Sequence, residues 1–177
     1  MTLVGNIVGI TAVVLYVLSY QMKNRMGIIL CNAMSRVLYV AQYLLLGAFE
    51  GALLDVVAFF VSLLCCLRNT KFVKNHLVLT VILANVGIVG IGMITYQNIF
   101  SLLPIFGVVF ETLALWLSKE RNIRIMSLLG APFWLVYNLL NLAYGSAIGN
   151  VITLVSIIVA IIRYDVLGQN KTENKKN

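Results

Sequence analysis

The chain has 177 residues, of which 61% are hydrophobic and only 11% charged, and its mean hydropathy is +0.97. A water-soluble domain carries about 25% charged residues, so the composition excludes a soluble globular domain. The net charge of +7 arises from 13 Lys and Arg residues against 6 acidic ones. Most of the basic residues lie in short loops between apolar runs, which is typical of membrane topology and does not favour a nucleic-acid partner.

Seven apolar runs follow one another along the chain. A helix needs about 20 residues, each rising about 1.5 Å, to cross the roughly 30 Å of hydrocarbon in a bilayer. We therefore predict an all-α membrane protein with seven transmembrane helices. The polar segment at residues 165–177 is predicted to be a disordered tail. The seven runs cover residues 3–20, 27–46, 51–67, 77–95, 98–117, 124–143 and 147–163.

The basic residues are distributed unequally between the two sides of the membrane. If the N-terminus is placed outside, the outer loops contain no Lys or Arg. Because short loops rich in Lys and Arg stay in the cytoplasm, we predict an outer N-terminus and a cytoplasmic C-terminus. The inner loops and the C-terminal end then hold Lys23, Arg25, Arg68, Lys71, Lys74, Lys119, Arg121, Arg124, Arg163, Lys171, Lys175 and Lys176.

The chain also matches itself at an offset of 95 residues, without a gap. The segment from Gly5 to Arg68 overlays the segment from Phe100 to Arg163. A unit of three helices ends on the opposite side of the membrane from its start, so a parallel second copy requires one extra helix between them. We therefore predict a 3+1+3 arrangement: a first three-helix bundle over 1–68, a linker transmembrane helix within 69–97, and a second bundle over 98–164. The landmark pairs are Tyr39/Trp134, Phe49/Tyr144, Asp55/Asn150 and Arg68/Arg163.

Arg36 is the one basic residue inside a predicted span. It lies about 15 Å from the inner boundary, where a charge costs at least about 2.5–3.5 kcal/mol, so we expect it to face the interior and to have a partner. Asp55 and Glu111 are the two acids that can pair with it, and the sequence leaves the choice between them open. If both acids ionise, the set carries one excess negative charge, which a proton held by one of them would balance. A purely structural ion pair is the alternative.

Polar and aromatic residues form a stripe on the second helix of each repeat. Their spacing of three or four residues places them on one face of the helix. Two such stripes predict a shared cavity, although interhelical hydrogen bonds of about 0.6 kcal/mol each are the alternative explanation. Trp134, in the middle of its span, is either a wall of that cavity or a packing residue. The predicted substrate-binding residues are Arg36, Tyr39, Tyr43, Asp55, Glu111, Trp134, Asn138 and Asn150.

Enzymatic function is not favoured. The only histidine, His76, lies at an inner helix end without clustered metal ligands, and no buried Ser–His or paired-Asp arrangement is evident. No phosphate-binding loop or dinucleotide fingerprint is present. We therefore predict a protein that is not an enzyme and that has no cofactor and no metal.

Three stretches of the chain resemble a known family. They are LSYQMKNRMGI from Leu18, RVLYVAQYLLLGAFEGALLD from Arg36 and PFWLVYNLLNLAYGSAIGN from Pro132. They are similar to YgjV-type bacterial inner-membrane proteins, and the repeat plan resembles the SWEET, SemiSWEET and PQ-loop transporters. This resemblance implies a multi-pass protein of the bacterial inner membrane.

The SWEET pattern places an aromatic residue on the second helix of each repeat and an Asn on the third, around a sugar pocket. Trp134 and Asn150 match this pattern, whereas Tyr39 and Asp55 occupy the corresponding positions of the first repeat. The resemblance implies alternating-access transport, passive or proton-linked, of a small polar metabolite such as a sugar, amino acid or vitamin. A ligand receptor or structural membrane protein of the same fold, or a channel, remains an alternative, and an oligomer is compatible with the sequence.

Overall fold

The computed structural model describes residues 2–140 and 144–166, without the side chains of Thr2, Leu3 and Asn6. All regular elements in this part of the chain are helical. A 3₁₀ turn at Ile99–Ser101 precedes α6, and a π-helical turn at Ile161–Val166 follows α8. The α-helices are α1 (Thr2–Gln21), α2 (Arg25–Leu46), α3 (Phe49–Cys66), α4 (Lys71–Asn75), α5 (Leu77–Ile94), α6 (Leu102–Trp116), α7 (Glu120–Leu140) and α8 (Tyr144–Ala160).

Six helical stretches in the described residues are long and apolar enough to cross a membrane. The apolar part of α1, Ile7–Gln21, is shorter than these six. The protein is therefore an all-helical, multi-pass membrane protein, and its seventh span stays a prediction. The six stretches are Arg25–Leu46, Phe49–Cys66, Leu77–Ile94, Ile99–Trp116, Glu120–Leu140 and Tyr144–Val166.

Six helices pack into a closed ring, and a seventh lies outside it. Around the ring, α1 contacts α2, α2 contacts α3, and α3 contacts α6, which continues through α7 and α8 back to α1. Helix α5 lies against α3 and α6 from outside, and most of its side chains are exposed. Such large apolar exposure suits contact with lipid. The ring surrounds a central space toward which all six helices can direct side chains.

Local sequence signals fix the ends of α2. The Asn24 side chain accepts a hydrogen bond of 2.7 Å from the Gly27 backbone N–H, which caps the start of the helix. Gly47, with a φ of 76°, adopts the left-handed conformation that ends it. A residue with a Cβ atom pays about 1–2 kcal/mol for this conformation, so glycine permits the short turn into α3.

The C-terminal end of the described chain extends past the predicted start of the tail at residue 165. The π-helical turn reaches Val166, and Asp165 is 9% exposed and pairs with Arg124 at 2.9 Å. An ion pair to the side of α7 thus ties the end of α8 to the ring. The remainder of the predicted tail, residues 167–177, lies outside the described residues.

Candidate functional site

A buried group of charges lies at the centre of the ring. Arg36 on α2 donates from Nη1 to Asp55 Oδ1 at 2.6 Å and from Nη2 to Glu111 Oε2 at 2.9 Å. Its Nε donates to Asn32 Oδ1 at 3.0 Å, one helical turn earlier. The prediction that Arg36 faces the interior and has an acidic partner is confirmed. The choice between the two acids is resolved in favour of both.

This charged triad, Arg36 with Asp55 and Glu111, joins three helices of the ring. Its side chains are 2%, 4% and 5% exposed, so each charge has lost most of its contact with solvent. Burial of a charge is tolerated when its donors and acceptors are satisfied by partners, and each nitrogen of the guanidinium has one. With all three groups ionised, the triad carries one excess negative charge.

Two tyrosines on α1 extend the triad toward the C-terminal end of that helix. The Tyr20 hydroxyl donates to the Tyr16 hydroxyl at 2.9 Å, and Tyr16 donates to Glu111 Oε1 at 2.6 Å. Both oxygens of Glu111 therefore accept a hydrogen bond, one from Tyr16 and one from Arg36. The sequence interpretation missed Tyr16 and Tyr20. Their spacing of four residues, which places both hydroxyls on one face of α1, was the available signal.

A small cavity adjoins the triad on the side toward the end of α2 and the start of α8. The space open to the centres of water molecules is about 30 Å³, which is room for about two waters. All eight residues predicted to bind substrate line this cavity, so the structure brings them together; their role as substrate ligands stays a prediction. The lining consists of Tyr16, Arg36, Tyr39, Tyr43, Asp55, Glu111, Ala131, Trp134, Asn138, Asn150 and Thr153.

Aromatic rings form one wall of the cavity. Tyr43 stacks on Trp134 with ring centroids 6.1 Å apart and an interplanar angle of 15°, and Tyr39 stacks on Tyr43 at 6.3 Å. These contacts connect α2 with α7 across the ring. Gly107 on α6 makes room for the indole, because a Cβ atom there would lie 2.8 Å from Trp134 Cδ1. The aromatic wall thus depends on a residue without a side chain.

Two polar atoms at the cavity have no hydrogen-bond partner among the described residues. They are Asn150 Nδ2 and Thr153 Oγ1, both on α8 and both buried. A buried polar group that lacks a partner costs about 1–3 kcal/mol, so these atoms are available to a water or a solute in the cavity. By contrast, Asn138 accepts a hydrogen bond of 3.4 Å from the Tyr43 hydroxyl.

A family model described as Imp-YgjV, bacterial inner membrane protein, matches residues 3–167. That match spans every helix of the ring and every residue of the cavity. No curated protein and no solved structure is significantly similar to the chain. The length of the family match, together with the apolar helices, shows that this is a multi-pass protein of the bacterial inner membrane. The chain belongs to the Imp-YgjV family of bacterial inner membrane proteins.

Proposed function

We propose that the protein is a transporter of a small polar solute and has no enzymatic activity. The observation that carries this proposal is the buried polar cavity at the centre of the ring, which holds two unpartnered polar atoms, Asn150 Nδ2 and Thr153 Oγ1. The helices around it form two groups, α1–α3 and α6–α8, which meet where α1 contacts α8 and where α3 contacts α6. Rocking of these two bundles about the cavity would expose it to one side of the membrane at a time.

The proposed architecture is the 3+1+3 arrangement of seven membrane-spanning helices, with α5 as the linker and a relationship to the SWEET and PQ-loop transporters. Two side-chain contacts support it. Tyr16 binds Glu111 and Tyr43 binds Asn138, and each pair is separated by 95 residues, which is the offset of the sequence repeat. Residues related by a two-fold axis meet when they lie close to that axis. The cavity would then lie on the axis between the repeats.

Proton linkage is the second part of the proposal. The triad has one guanidinium and two carboxyl groups, and an uncompensated charge in a buried site is costly. A proton shared by the two acids would neutralise the triad. Because Tyr16 and Tyr20 donate in sequence toward Glu111, their hydroxyls offer a hydrogen-bonded path for that proton from the inner half of the ring.

A non-transporting receptor or scaffold is the second candidate. It is favoured by the complete pairing of Arg36 and by a cavity with room for only about two waters. A transporter whose bundles have closed around the site has the same two features. Ligand binding in the cavity therefore separates a transporter or receptor from a scaffold, and uptake of the bound ligand separates a transporter from a receptor.

The first prediction is that a small polar solute stabilises the purified protein through Asn150 and Thr153. A ligand present at about 100 times its Kd stabilises the folded state by about 2.7 kcal/mol, which is measured as a rise in Tm across a panel of sugars, amino acids and vitamins. Thr153→Val should remain folded, because its hydroxyl has no partner to lose, yet its Kd for the ligand should rise about tenfold. At the same ligand concentration this reduces the stabilisation to about half.

Thr112→Val is the matched control, because the Thr112 hydroxyl binds the Val108 carbonyl of its own helix at 2.7 Å and lies outside the cavity lining. It should keep the full ligand response. An equal response in Thr153→Val and wild type would show that the ligand binds elsewhere. A panel without any stabilising ligand, combined with silent uptake assays, would favour the scaffold.

We also propose that the N-terminus lies outside and the C-terminus in the cytoplasm, as the basic loop residues indicate. A reporter enzyme that is active only in the periplasm should therefore be inactive when fused after Val166, and active when fused in the turn at Gly47 between α2 and α3. Activity of the fusion after Val166, together with inactivity of the fusion at Gly47, would show the opposite topology. The fusions leave the helices of the ring intact.

A further inference from the structure

Arg25 ties the start of α2 to the last turns of two other helices. Its Nε donates to the Leu117 carbonyl at 2.9 Å, and its Nη2 donates to the Leu115 carbonyl at 2.8 Å and the Cys65 carbonyl at 3.1 Å. The last carbonyls of an α-helix have no partner within the helix. A guanidinium is well suited to them, because it offers several donors and its positive charge suits the C-terminal end of the helix dipole.

Arg124 makes a corresponding tie from the other bundle. It lies on α7, is 1% exposed, and donates from Nε to the Tyr20 carbonyl at 3.3 Å and from Nη2 to the Met22 carbonyl at 3.0 Å. Its Nη1 binds both carboxylate oxygens of Asp165, at 2.9 and 3.1 Å. This arginine therefore connects the ends of α1 and α8 to the first turns of α7.

The accepting carbonyls of the two ties are related by the sequence repeat, whereas the two arginines are not, because Arg25 aligns with Glu120 and Arg124 with Ile29. Leu115 and Leu117 follow Tyr20 and Met22 by 95 residues, so the same two carbonyl positions accept the guanidinium in each repeat. In both ties the arginine lies on the second helix of one bundle and binds two carbonyls at the end of the first helix of the other bundle. The Cys65 carbonyl and the Asp165 carboxylate belong to the arginine's own bundle. Each tie therefore crosses from one bundle to the other at the inner end of the ring.

We propose that Arg25 and Arg124 form the inner gate of the cavity, holding the two bundles together at the end that the charge distribution predicts to be cytoplasmic. This inference rests on the proposed transport function. Glu111, at the inner side of the cavity, is followed by five more residues of α6, which corresponds to about 7.5 Å. The carbonyls that Arg25 binds therefore lie about that far from Glu111 along α6. The cavity opens to the cytoplasm when the guanidinium groups release the carbonyls.

Cys65 provides a natural reporter of this opening. Its side chain is 0% exposed, its thiol is free, and its carbonyl is held by Arg25. With Cys31 and Cys66 replaced by Ser, a maleimide reagent added to protein in lipid nanodiscs reports how often the inner end opens. Arg25→Met keeps the aliphatic part of the side chain but removes its donors. We expect this variant to raise the labelling rate of Cys65 at least tenfold, because the two hydrogen bonds from a charged donor that cross between the bundles are lost.

A second reporter separates gate opening from loss of structure. Ser146, which is buried at the outer end of α8, accepts a hydrogen bond of 2.8 Å from Gln42, so Ser146→Cys in a chain without other cysteines reports on the outer contact between the bundles. In Arg25→Met its labelling rate should stay the same or fall. Lys23→Met, which removes an exposed charge from the same loop, should change neither reporter.

Faster labelling at both positions in Arg25→Met would overturn the inference, because the arginine would then be a general stabiliser of the fold. Unchanged labelling of Cys65 would also overturn it. Arg124→Met is expected to give the same pattern as Arg25→Met. If Cys65 alone is labelled faster while the metabolite panel yields no ligand, the two arginines do close the inner end of the ring, but the proposed transport function is wrong.

Discussion

Arg36→Met is expected to lower the free energy of unfolding by about 3–5 kcal/mol, because it strands two buried carboxylates that now accept hydrogen bonds of 2.6 and 2.9 Å from the guanidinium. Met replaces the aliphatic part of the Arg36 side chain and ends near the position of Nε, so the variant keeps the packing of that part and removes the charge and its hydrogen bonds. The measurement is unfolding of the purified protein in mixed micelles of increasing denaturing detergent. Folded yield after solubilisation should fall in parallel.

Two further variants control this result. Arg121→Met, at an exposed position of α7, removes the same side chain from the surface and should change stability by no more than about 0.5 kcal/mol. The triple variant Arg36→Met with Asp55→Asn and Glu111→Gln leaves no charge in the triad, and it should recover much of the loss. A single variant as stable as wild type, or a triple variant no better than the single one, would contradict this account of the triad.

The transmembrane helices were largely predictable from the sequence, because the bilayer imposes a length and an apolar composition that any spanning helix must meet. The predicted run at 27–46 corresponds to α2 at Arg25–Leu46, and the run at 77–95 to α5 at Leu77–Ile94. The interior position of Arg36 was equally constrained by the cost of a charge in hydrocarbon. With two acids inside the spans, the set of partners was small.

The pairing of Arg36 with both acids could not be predicted, because depth along a helix follows from residue counting whereas rotation and helix spacing depend on packing. Gly130 shows how such packing is set. A Cβ atom there would lie 3.1 Å from the Gly107 carbonyl oxygen, so two glycines let α6 and α7 approach closely. The close approach of α6 and α7 helps to place Glu111 beside the cavity, and no local pattern in the sequence indicates that approach.

The two arginines that bind carbonyls at helix ends were missed for a different reason. Arg25 and Arg124 were counted with the loop charges that indicate topology, and their positions near helix ends agree with that reading. Their partners are backbone carbonyls of Leu115, Leu117 and Tyr20, among others. Every residue has a carbonyl, so such contacts leave no trace in the residue types. The arrangement of helix ends in space was needed to find them.

The last prediction concerns the excess charge of the triad. Glu111→Gln and Asp55→Asn each leave one carboxylate paired with Arg36, so either variant gives a neutral triad with no need for a proton. Uptake of the ligand found in the metabolite panel is measured in vesicles with and without an imposed pH gradient. We expect the gradient to drive accumulation by the wild-type protein, whereas both variants should only equilibrate the solute. Glu120→Gln, which removes a carboxylate at the inner end of α7, should behave as wild type.

The outcome separates passive from proton-linked transport because equilibration without a gradient serves as an internal measure of folding and binding. A neutral variant that still equilibrates the solute has kept its site and its movement, so its failure to accumulate solute isolates the role of the proton. If Glu111→Gln and Asp55→Asn both accumulate solute as the wild type does, the proton is not carried by the triad. If the pH gradient does not change accumulation of the ligand by the wild-type protein, the transporter is passive. The excess charge is then balanced by the hydrogen bonds from Tyr16 and Arg36 to Glu111.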